Sequence, residues 1–334
     1  MNRAIILNRH PRGKVLESDF KLAERPIEAC GQGYFRTKNL WISLDAGFRH
    51  WMAEGAGDNY LPGMQTGDPV QVVVIGEVVE SNNSEYPVGS TVNARTAWEE
   101  TSVLDGTDLC TKLSPAEGVP LHLYMSTLGL TGMTAWVGMH RVGKLKSGDT
   151  VVISAAGGAV GTVAGQLAKA AGCRVIGLTS ARDKADWLES EVGYDRVIDR
   201  ETQPDLGATL RQIAPEGIDL YFDNVGGNVL DTVMGQLREG ARLVLSGAIS
   251  EYEGPVEALS NSYELVTKRA RMEGFMVTDH VQDFPMILDD LKNRLAEGSL
   301  KSFEQTYKGL AETPRAFCDM MHGASRGKCL VKLD

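Results

Sequence analysis

The sequence predicts an α/β chain with two domains, the larger of them a doubly wound parallel sheet. From residue 149 to about residue 298, short apolar strands alternate with helical segments, which is typical of a parallel sheet covered on both faces. Before residue 125 the strands are short and β-branched and are interrupted by Gly, Pro and Asn, which indicates an irregular antiparallel barrel. We therefore expect a first domain over 1–125, completed by 299–334, and a second over 126–298.

The first domain has its clearest strands at 70–79 and 91–94, with turn residues between them. Apolar residues at helical spacing over 122–142 predict a linking helix pair. The second domain follows with strands at 150–154, 174–178, 196–199, 218–222 and 242–246 and helices at 160–171, 184–192, 205–213 and 228–237. A helix, a strand and a helix within 263–297 complete it. The tail predicts a strand near 303–307, a helix opened by Pro314 and a strand at 329–333.

Composition excludes several classes of function. The net charge of −10 and the pI near 5.2 argue against nucleic acid or an anionic membrane as the partner. Apolar stretches are too short to span a membrane, and the opening one turns polar at Asn8, so we expect a cytoplasmic protein. The 5 cysteines and 6 histidines lack the spacing of a disulfide framework or a zinc site, so no bound metal is expected.

A glycine-rich turn directly follows the strand that ends at Ser154. In the run 155–161, Gly158 lets the backbone approach a pyrophosphate and Gly161 allows close packing of helix on strand, while the helix N-terminus supplies N–H donors. Ala156 replaces the first glycine of the dinucleotide fingerprint, and a plain tight connection is the alternative. The flanking strand, helix and βαβ units favour a dinucleotide site. No ATP-type phosphate-loop motif is present.

The end of the next strand indicates which nicotinamide cofactor is used. It runs into Ser180 without a carboxylate, and Arg182 and Lys184 follow at once, with Arg200 after the third strand. A carboxylate there would hold a ribose 2′-hydroxyl, whereas cations accept a 2′-phosphate, so the pattern predicts NADPH rather than NADH. Lys184 is the strongest candidate. Arg182 as a neighbour of a helix cap, and Arg200 as an ion-pair partner of adjacent acids, remain alternatives.

Several ordered segments together resemble one known family. They are the glycine loop, Asn224 within 222–227, the run 246–252 and the run 272–277, with 43–45, Arg49 and 327–328 near the ends. They are similar to the medium-chain dehydrogenase/reductase superfamily, and most to its zinc-independent branch of prostaglandin reductase, leukotriene 12-hydroxydehydrogenase and curcumin reductase. The resemblance implies a GroES-like barrel beside a Rossmann NADPH-binding domain, a homodimer and no zinc.

The resemblance also implies a set of site residues. It assigns Gly158, Ala159, Val160 and Gly161 to the pyrophosphate and Lys184 to the 2′-phosphate. Further cofactor-binding candidates are Ser180 and Arg200 at the strand ends, and Ser325, which stands where the family has an asparagine that touches the cofactor. Along the nicotinamide half it places Asn224, Ser246, Gly247, Ala248, Ile249, Ser250, Tyr252, Phe275, Met276 and Val277. Tyr252 matches the family tyrosine proposed to aid catalysis, and the substrate candidates are Phe48, Arg49 and Tyr60.

The sequence departs from the branch at three places. Asp-Ala-Gly-Phe-Arg at 45–49 replaces the usual Asp-Pro-Tyr-Met-Arg, so a pocket-lining aromatic is lost or shifted to Phe48. Arg200 stands where a phosphate-binding tyrosine is frequent, which keeps donor chemistry and adds charge. Ser325 replaces an asparagine that touches the cofactor, and its hydroxyl has a shorter reach.

The function implied is NADPH-dependent reduction of the carbon–carbon double bond of a small hydrophobic α,β-unsaturated carbonyl, with hydride delivered to the β-carbon. Tyr252 would donate a hydrogen bond to the carbonyl oxygen. The alternatives are a quinone reductase, an alcohol or aldehyde oxidoreductase, and a nucleotide-binding or RNA-binding structural protein. The acidic balance counts against RNA. Single residues also have structural alternatives to a role in the site. Tyr252 could be a surface tyrosine, and Phe48 and Tyr60 could be ordinary core residues.

Overall fold

A computed structural model describes residues 1–334, and only the side chain of Arg182 lies outside the description, together with the prediction made for it. The chain divides into two compact units. Unit 1 comprises Met1–Met125, Gln305–Ala324 and Cys329–Asp334, and unit 2 comprises Ser126–Glu304 and Ser325–Lys328. Of the tail 299–334, residues 299–304 and Ser325–Lys328 lie in unit 2, and the rest lies in unit 1.

Unit 1 is built on antiparallel pairing. Its strands are β1 (Asn2–Leu7), β2 (Phe20–Arg25), β3 (Phe35–Ser43), β4 (Gln71–Ser81), β5 (Thr91–Ala97), β6 (Thr101–Leu104), β7 (Thr111–Leu113), β14 (Glu304–Lys308) and β15 (Lys328–Lys332). β1 pairs with β2, and the others form a seven-stranded sheet in the order β14-β15-β3-β4-β5-β7, with β6 also paired to β3. Its helices are α1 (Phe48–Trp51) and α10 (Thr313–Met321). The predicted tail strands and helix are all present.

Three aromatic rings show how the tail helix joins unit 1. Phe20 of β2 lies 5.0 Å from Trp98 between ring centroids, and Phe317 of α10 lies 5.4 Å from Trp98 and 6.1 Å from Phe20. All three are buried. Because such aromatic contacts add to the free energy of burial, they fasten α10 to the sheet.

Unit 2 contains a six-stranded parallel sheet in the order β10-β9-β8-β11-β12-β13. Its strands are β8 (Thr150–Ile153), β9 (Arg174–Thr179), β10 (Arg196–Asp199), β11 (Ile218–Asp223), β12 (Leu237–Leu245) and β13 (Arg271–Gly274). Its helices are α2 (Leu130–Val137), α3 (Ala159–Ala170), α4 (Arg182–Trp187), α5 (Leu206–Ile213), α6 (Gly227–Met234), α7 (Ile249–Tyr252), α8 (Glu264–Thr267) and α9 (Phe284–Ala296). The doubly wound class is confirmed, and the strand order reverses between β8 and β11, where such sheets bind ligands.

The core of unit 2 explains why its strands read as continuous apolar runs. Val152, Ile176, Tyr221 and Leu243 lie in four different strands of one buried cluster, at 1% exposure or less. Helix α3 is buried along its length from Gly161 to Ala168. A parallel sheet with helices on both faces leaves no polar face on its central strands.

Several predicted boundaries were wrong. The helix over 228–237 ends at Met234, since the chain needs Gly235 and Gln236 to enter β12 at Leu237. The pair over 122–142 is one α-helix, flanked by a 3₁₀ turn at Leu121–Met125 and a π turn at Gly138–Val142. The helix over 184–192 is α4 followed by a π turn at Leu188–Val192. No described helix is both long and apolar enough to cross a membrane.

Candidate active site

The site candidates of unit 2 gather where its parallel strands end. Because β8, β9, β10, β11 and β12 run in the same direction, the segments that follow them meet at one edge of the sheet. Those segments hold the glycine loop, Ser180, Arg200, Asn224 and the run from Ser246 to Tyr252.

The glycine loop has an open face suited to a phosphate. Gly158 is the N-cap of α3, and no side chain caps the helix there. Among the described residues, and apart from its chain neighbours, a Cβ on Gly158 would meet the Ala155 carbonyl oxygen at 3.1 Å and no other atom within 4 Å, so this side of the loop has room for a ligand. At Gly161 a Cβ would lie 2.5 Å from the oxygen of Ala155 and 2.7 Å from that of Ala156. Uncapped N–H groups beside open space fit a pyrophosphate.

Ala155 takes the strain of this turn. Its φ is +46°, in the left-handed region that favours glycine, while the Ala156 amide donates to Leu178 at 3.0 Å. A non-glycine residue there costs roughly 1–2 kcal/mol. The left-handed backbone conformation thus falls at Ala155, directly before Ala156, which occupies the first glycine position of the fingerprint.

Lys184 is a buried cation beside this loop. It is 6% exposed, and the carboxylate of Asp183 is a neighbouring charge that favours its protonated form. Burial lowers the pKa of its ammonium below the ordinary lysine value. Its Cδ lies 3.0 Å from where a Cβ of Gly157 would stand. Because burial disfavours the charged form of Lys184, an anionic ligand such as a 2′-phosphate would stabilise its ammonium.

Arg200 and Ser180 lie at the ends of adjacent strands. Ser180 follows β9 and is exposed, and Arg200 follows β10 with its amide donating to Thr179 at 2.9 Å. The Arg200 side chain lines a cavity of about 670 Å³ together with Arg211 and Asn228. The other residues that line this cavity lie between Pro204 and Thr232, around α5 and α6, and none of them belongs to the glycine loop.

Asn224 is fixed by a buried polar network. Its Nδ2 donates to the Ser154 carbonyl at 2.8 Å and its amide donates to Ser154 Oγ at 2.8 Å. Asp223 is fully buried and accepts bonds from Ser154 Oγ at 2.8 Å and from the Tyr221 hydroxyl at 2.7 Å. Asn224 Oδ1 keeps no partner among the described residues and can accept from a ligand. Sequence reasoning missed Asp223, whose only signal is a carboxylate at the end of an apolar strand.

The run from Ser246 to Tyr252 folds back on this network. The Ser246 amide donates to Asp223 at 2.8 Å, and Ser250 Oγ donates to Val225 at 2.6 Å. Ala248 donates its amide to the Tyr252 hydroxyl oxygen at 3.3 Å, within a loop whose Ile249 begins the short helix α7. Burial raises the pKa of the Tyr252 phenol, so it stays a neutral O–H donor.

The run from Phe275 to Val277 follows the edge strand β13. A Cβ on Gly138 would lie 3.0 Å from Phe275 Cζ, so this glycine makes room for the ring. Met276 is 41% exposed, and Val277 begins a 3₁₀ turn.

Ser325 shares unit 2 with the glycine loop. Ser325 is 5% exposed. Two residues later in the chain, the Gly327 amide donates a hydrogen bond to the Gly157 carbonyl at 2.9 Å. The tail segment therefore runs beside the phosphate loop, a contact that no local sequence pattern indicates.

The substrate candidates lie in unit 1 around α1. Phe48 is buried and its ring is 5.9 Å from that of Trp51, which lies 5.8 Å from the half-exposed Tyr60. Asp58 orders this group, since its carboxylate accepts bonds from Trp51 Nε1 at 3.2 Å and from the Tyr60 amide at 2.8 Å. We call Phe48, Trp51 and Tyr60 the aromatic cluster. Trp51 was missed in the sequence.

Arg49 has a different setting from the cluster. It is 2% exposed, and its Nη2 donates to the carbonyl of Gly13 at 2.8 Å and of Pro11 at 3.3 Å. These bonds tie α1 to the segment after β1.

Among the described residues no group of three or more His, Cys, Asp or Glu side chains is placed to hold a metal ion.

Comparisons with known proteins cover the whole chain. Residues 3–111 match the family described as the N-terminal domain of oxidoreductase, and residues 159–293 match the family described as zinc-binding dehydrogenase. The chain is 35% identical over 334 residues to the NADP(+)-dependent 2-alkenal reductase of Nicotiana tabacum, covering 99% of this chain and 97% of that protein. It is 34% identical to prostaglandin reductase 1 of Rattus norvegicus, covering 98% and 97%.

Solved structures give the same result. CurA from Vibrio vulnificus superposes with a TM-score of 0.92 at 32% identity, covering 100% of this chain and 99% of that one. CurA in complex with NADPH gives a TM-score of 0.91 at 31% identity, covering 99% of both. With both halves matched by family models and full-length relatives above 30% identity, the chain belongs to the medium-chain dehydrogenase/reductase superfamily.

Proposed function

We propose that this chain is an NADP-dependent oxidoreductase that reduces the carbon–carbon double bond of α,β-unsaturated ketones and aldehydes. The observation that carries the proposal is its 35% identity to a 2-alkenal reductase over 99% of the chain. The buried Lys184 beside an uncapped glycine loop supports NADPH as the cofactor.

The site residues divide between holding the cofactor and stabilising charge. NADPH, when bound, supplies the hydride that adds to the β-carbon. We assign the loop from Gly158 to Gly161 to the pyrophosphate. Lys184, Ser180 and Arg200 are assigned to the 2′-phosphate, and Ser325 of the tail to a further contact with the cofactor. Asn224, the run from Ser246 to Tyr252 and the run from Phe275 to Val277 are assigned to the nicotinamide half. The protein thereby fixes distance and excludes water.

Tyr252 is the proposed catalytic residue. Its neutral hydroxyl donates a hydrogen bond to the substrate carbonyl oxygen as negative charge develops there, and solvent protonates the α-carbon. Loss of one such donor costs roughly 10²–10³ in rate. The Tyr252→Phe variant is expected to keep its Kd for NADPH and lose kcat for an enone, and unchanged turnover would remove Tyr252 from the mechanism.

For the substrate we propose contacts with Phe48 and Tyr60, whose rings supply apolar surface. Arg49, predicted with them, is assigned a positioning role, because its guanidinium bonds backbone carbonyls. The net charge of −10 supports a small uncharged substrate rather than nucleic acid.

We further propose that the protein is a cytoplasmic homodimer that works without a metal. Strand β13 is the last strand of its sheet, and the chain around it exposes Tyr263 at 72%, Val266 at 64% and Val281 at 61%. An exposed strand edge beside apolar side chains is a favourable surface for a second copy. Sedimentation equilibrium tests it, and a monomer at micromolar concentration would refute it.

The direct test of the activity is NADPH oxidation by chelator-treated protein with an enone, an enal, a quinone and a saturated ketone. Turnover of the enone and enal with NADPH preferred over NADH is the expected result. Preference for the quinone would identify the alternative hydride acceptor. Oxidation of simple alcohols by protein that retains stoichiometric zinc would contradict the proposal.

A further inference from the structure

The tail segment Ser325–Lys328 is held firmly beside the glycine loop. The Gly327 amide bonds the Gly157 carbonyl, Gly327 forms an isolated parallel bridge with Gly158, and the Lys328 amide donates to Phe303 at 2.8 Å. The φ of Gly327 is +68°, and a Cβ there would collide with the Phe303 carbonyl oxygen. The backbone therefore fixes where the preceding side chain, Arg326, emerges.

Arg326 is held over the helix that carries Lys184. Its Nη2 donates to the Asp183 carbonyl at 2.8 Å and to Asp183 Oδ2 at 3.1 Å. Its guanidinium carbon lies 5.5 Å from the centre of the Trp187 ring. Trp187 is itself buried and packs edge-on against Phe303 at 5.3 Å. A guanidinium stacked on a rigid indole has little freedom left to lose on binding.

The position of Arg326 leaves two cations at one corner of the site. The charge of Arg326 acts on Lys184 and lowers the pKa of that lysine further, after burial itself. The carboxylate of Asp183 acts against this, but its side chain is 72% exposed and therefore well screened by water. Two cations next to the glycine loop repel each other, and a bound dianion would remove that repulsion by forming charge-assisted hydrogen bonds with both.

We propose that Arg326 is a cofactor-specificity residue that binds the 2′-phosphate of NADPH together with Lys184. The proposal rests on the proposed NADPH-dependent function and adds a residue from the tail to it. An arginine can meet two phosphate oxygens at once, which the single ammonium of Lys184 cannot.

A different role would have a different signature. If Arg326 only fastened the tail to α4, its loss would loosen the pyrophosphate loop, which NADPH and NADH share. Both cofactors would then weaken together. Contact with the 2′-phosphate affects NADPH alone, so the ratio of the two dissociation constants separates the roles.

The experiment measures the Kd of NADPH and of NADH by nucleotide fluorescence for the full-length wild type, Arg326→Gln and Arg326→Lys. Arg326→Gln is expected to weaken NADPH about tenfold, the effect of one partly exposed charge-assisted bond, and NADH less than about twofold. Arg326→Lys is expected to recover part of the loss. In the Arg326→Gln variant, 2′-AMP should become a weaker competitor of NADPH by a similar factor, whereas 5′-AMP, which has no 2′-phosphate, should compete as it does in the wild type.

Arg141→Gln is the matched control. Arg141 lies 5.6 Å from the Trp136 ring and bonds Asp283 at 3.1 Å, so it has the same kind of setting in unit 2 but belongs to no proposed site. It should change neither constant. Equal weakening of both cofactors by Arg326→Gln, or no change in either, would overturn the inference. The experiment measures binding and not turnover, so it can be interpreted even if the protein does not reduce an enone. A wild type that binds NADPH no more tightly than NADH would overturn the inference about Arg326.

Discussion

The glycine loop of unit 2 and the aromatic cluster of unit 1 are held in place by different forces. Backbone geometry holds the glycine loop, because carbonyl oxygens lie close to where a Cβ of Gly161 would stand and Lys184 is buried next to the loop. Side-chain packing holds the aromatic cluster, since Trp51 and Tyr60 are positioned by contacts with each other and with Asp58. Backbone constraints tolerate few residues, whereas packing constraints can be met in several ways. We expect the first region to determine the cofactor and the second to determine the substrate.

The largest expected effect comes from Gly161→Ala. The new Cβ must displace the carbonyl oxygens of Ala155 and Ala156, which would deform the loop. Binding of NADPH and NADH should weaken together by about 100-fold, or ~3 kcal/mol, measured by titration calorimetry. Gly207→Ala in α5 is the control, because its nearest contact would be an ordinary 3.6 Å, and it should leave binding unchanged. Normal binding by Gly161→Ala would show that the loop is soft.

Lys184→Met should separate the two cofactors. Methionine keeps most of the apolar stem and removes the charge, so NADPH should weaken by about 10- to 100-fold while NADH changes little. The cofactor-free variant should also melt at a higher temperature than wild type, because a cation whose charged form is disfavoured by burial is gone. An equal loss with both cofactors would mean that Lys184 supports the loop instead of reading the phosphate.

The dependence on pH follows from the same lysine. Its folded pKa is lowered below the ordinary 10.5, so in the window between the lowered value and 10.5 the unfolded chain binds more protons than the folded one. Stability of the cofactor-free protein should therefore rise with pH through that window. NADPH affinity should fall there as the ammonium loses its proton. Calorimetry above pH 8 with wild type and Lys184→Met tests both slopes, which the variant should lack.

A moderate effect is expected in the aromatic cluster. Trp51→Leu should raise KM for an enone with an aromatic substituent about 3- to 10-fold, the value of one aromatic contact. The KM for NADPH and for a short aliphatic enone should stay near wild type. If the aliphatic enone suffered equally, Trp51 would be supporting the fold of unit 1 and not selecting substrates.

The smallest expected effect is a gain in stability. Ala155→Gly relieves a φ of +46° and loses one half-buried methyl group, so unfolding in urea should require about 0.5 to 1 kcal/mol more free energy. Cofactor binding should be unchanged. A destabilised variant would show that the methyl contact outweighs the strain.

The two regions also differ in how far sequence alone could predict them. The parallel sheet and the phosphate loop were predictable because apolar runs and glycines act locally, through strand and turn geometry. Trp51, Asp223 and Arg326 were not, since each owes its setting to residues distant in the chain or to the burial of a single polar group. The sequence shows that Gly47 lacks the aromatic side chain usual in the family. It does not show that the Trp51 ring lies 3.9 Å from where a Cβ of Gly47 would stand.

The bond between Gly327 and Gly157 also bears on how the protein is made. The two residues are 327 − 157 = 170 positions apart, so the loop cannot acquire this partner until the ribosome has synthesised the chain beyond residue 327. Contacts of such long sequence separation form late. The parallel sheet can assemble during translation, but the phosphate corner is completed only afterwards, and a nascent chain stalled before its last strand would hold a Rossmann sheet with an unfinished nucleotide site.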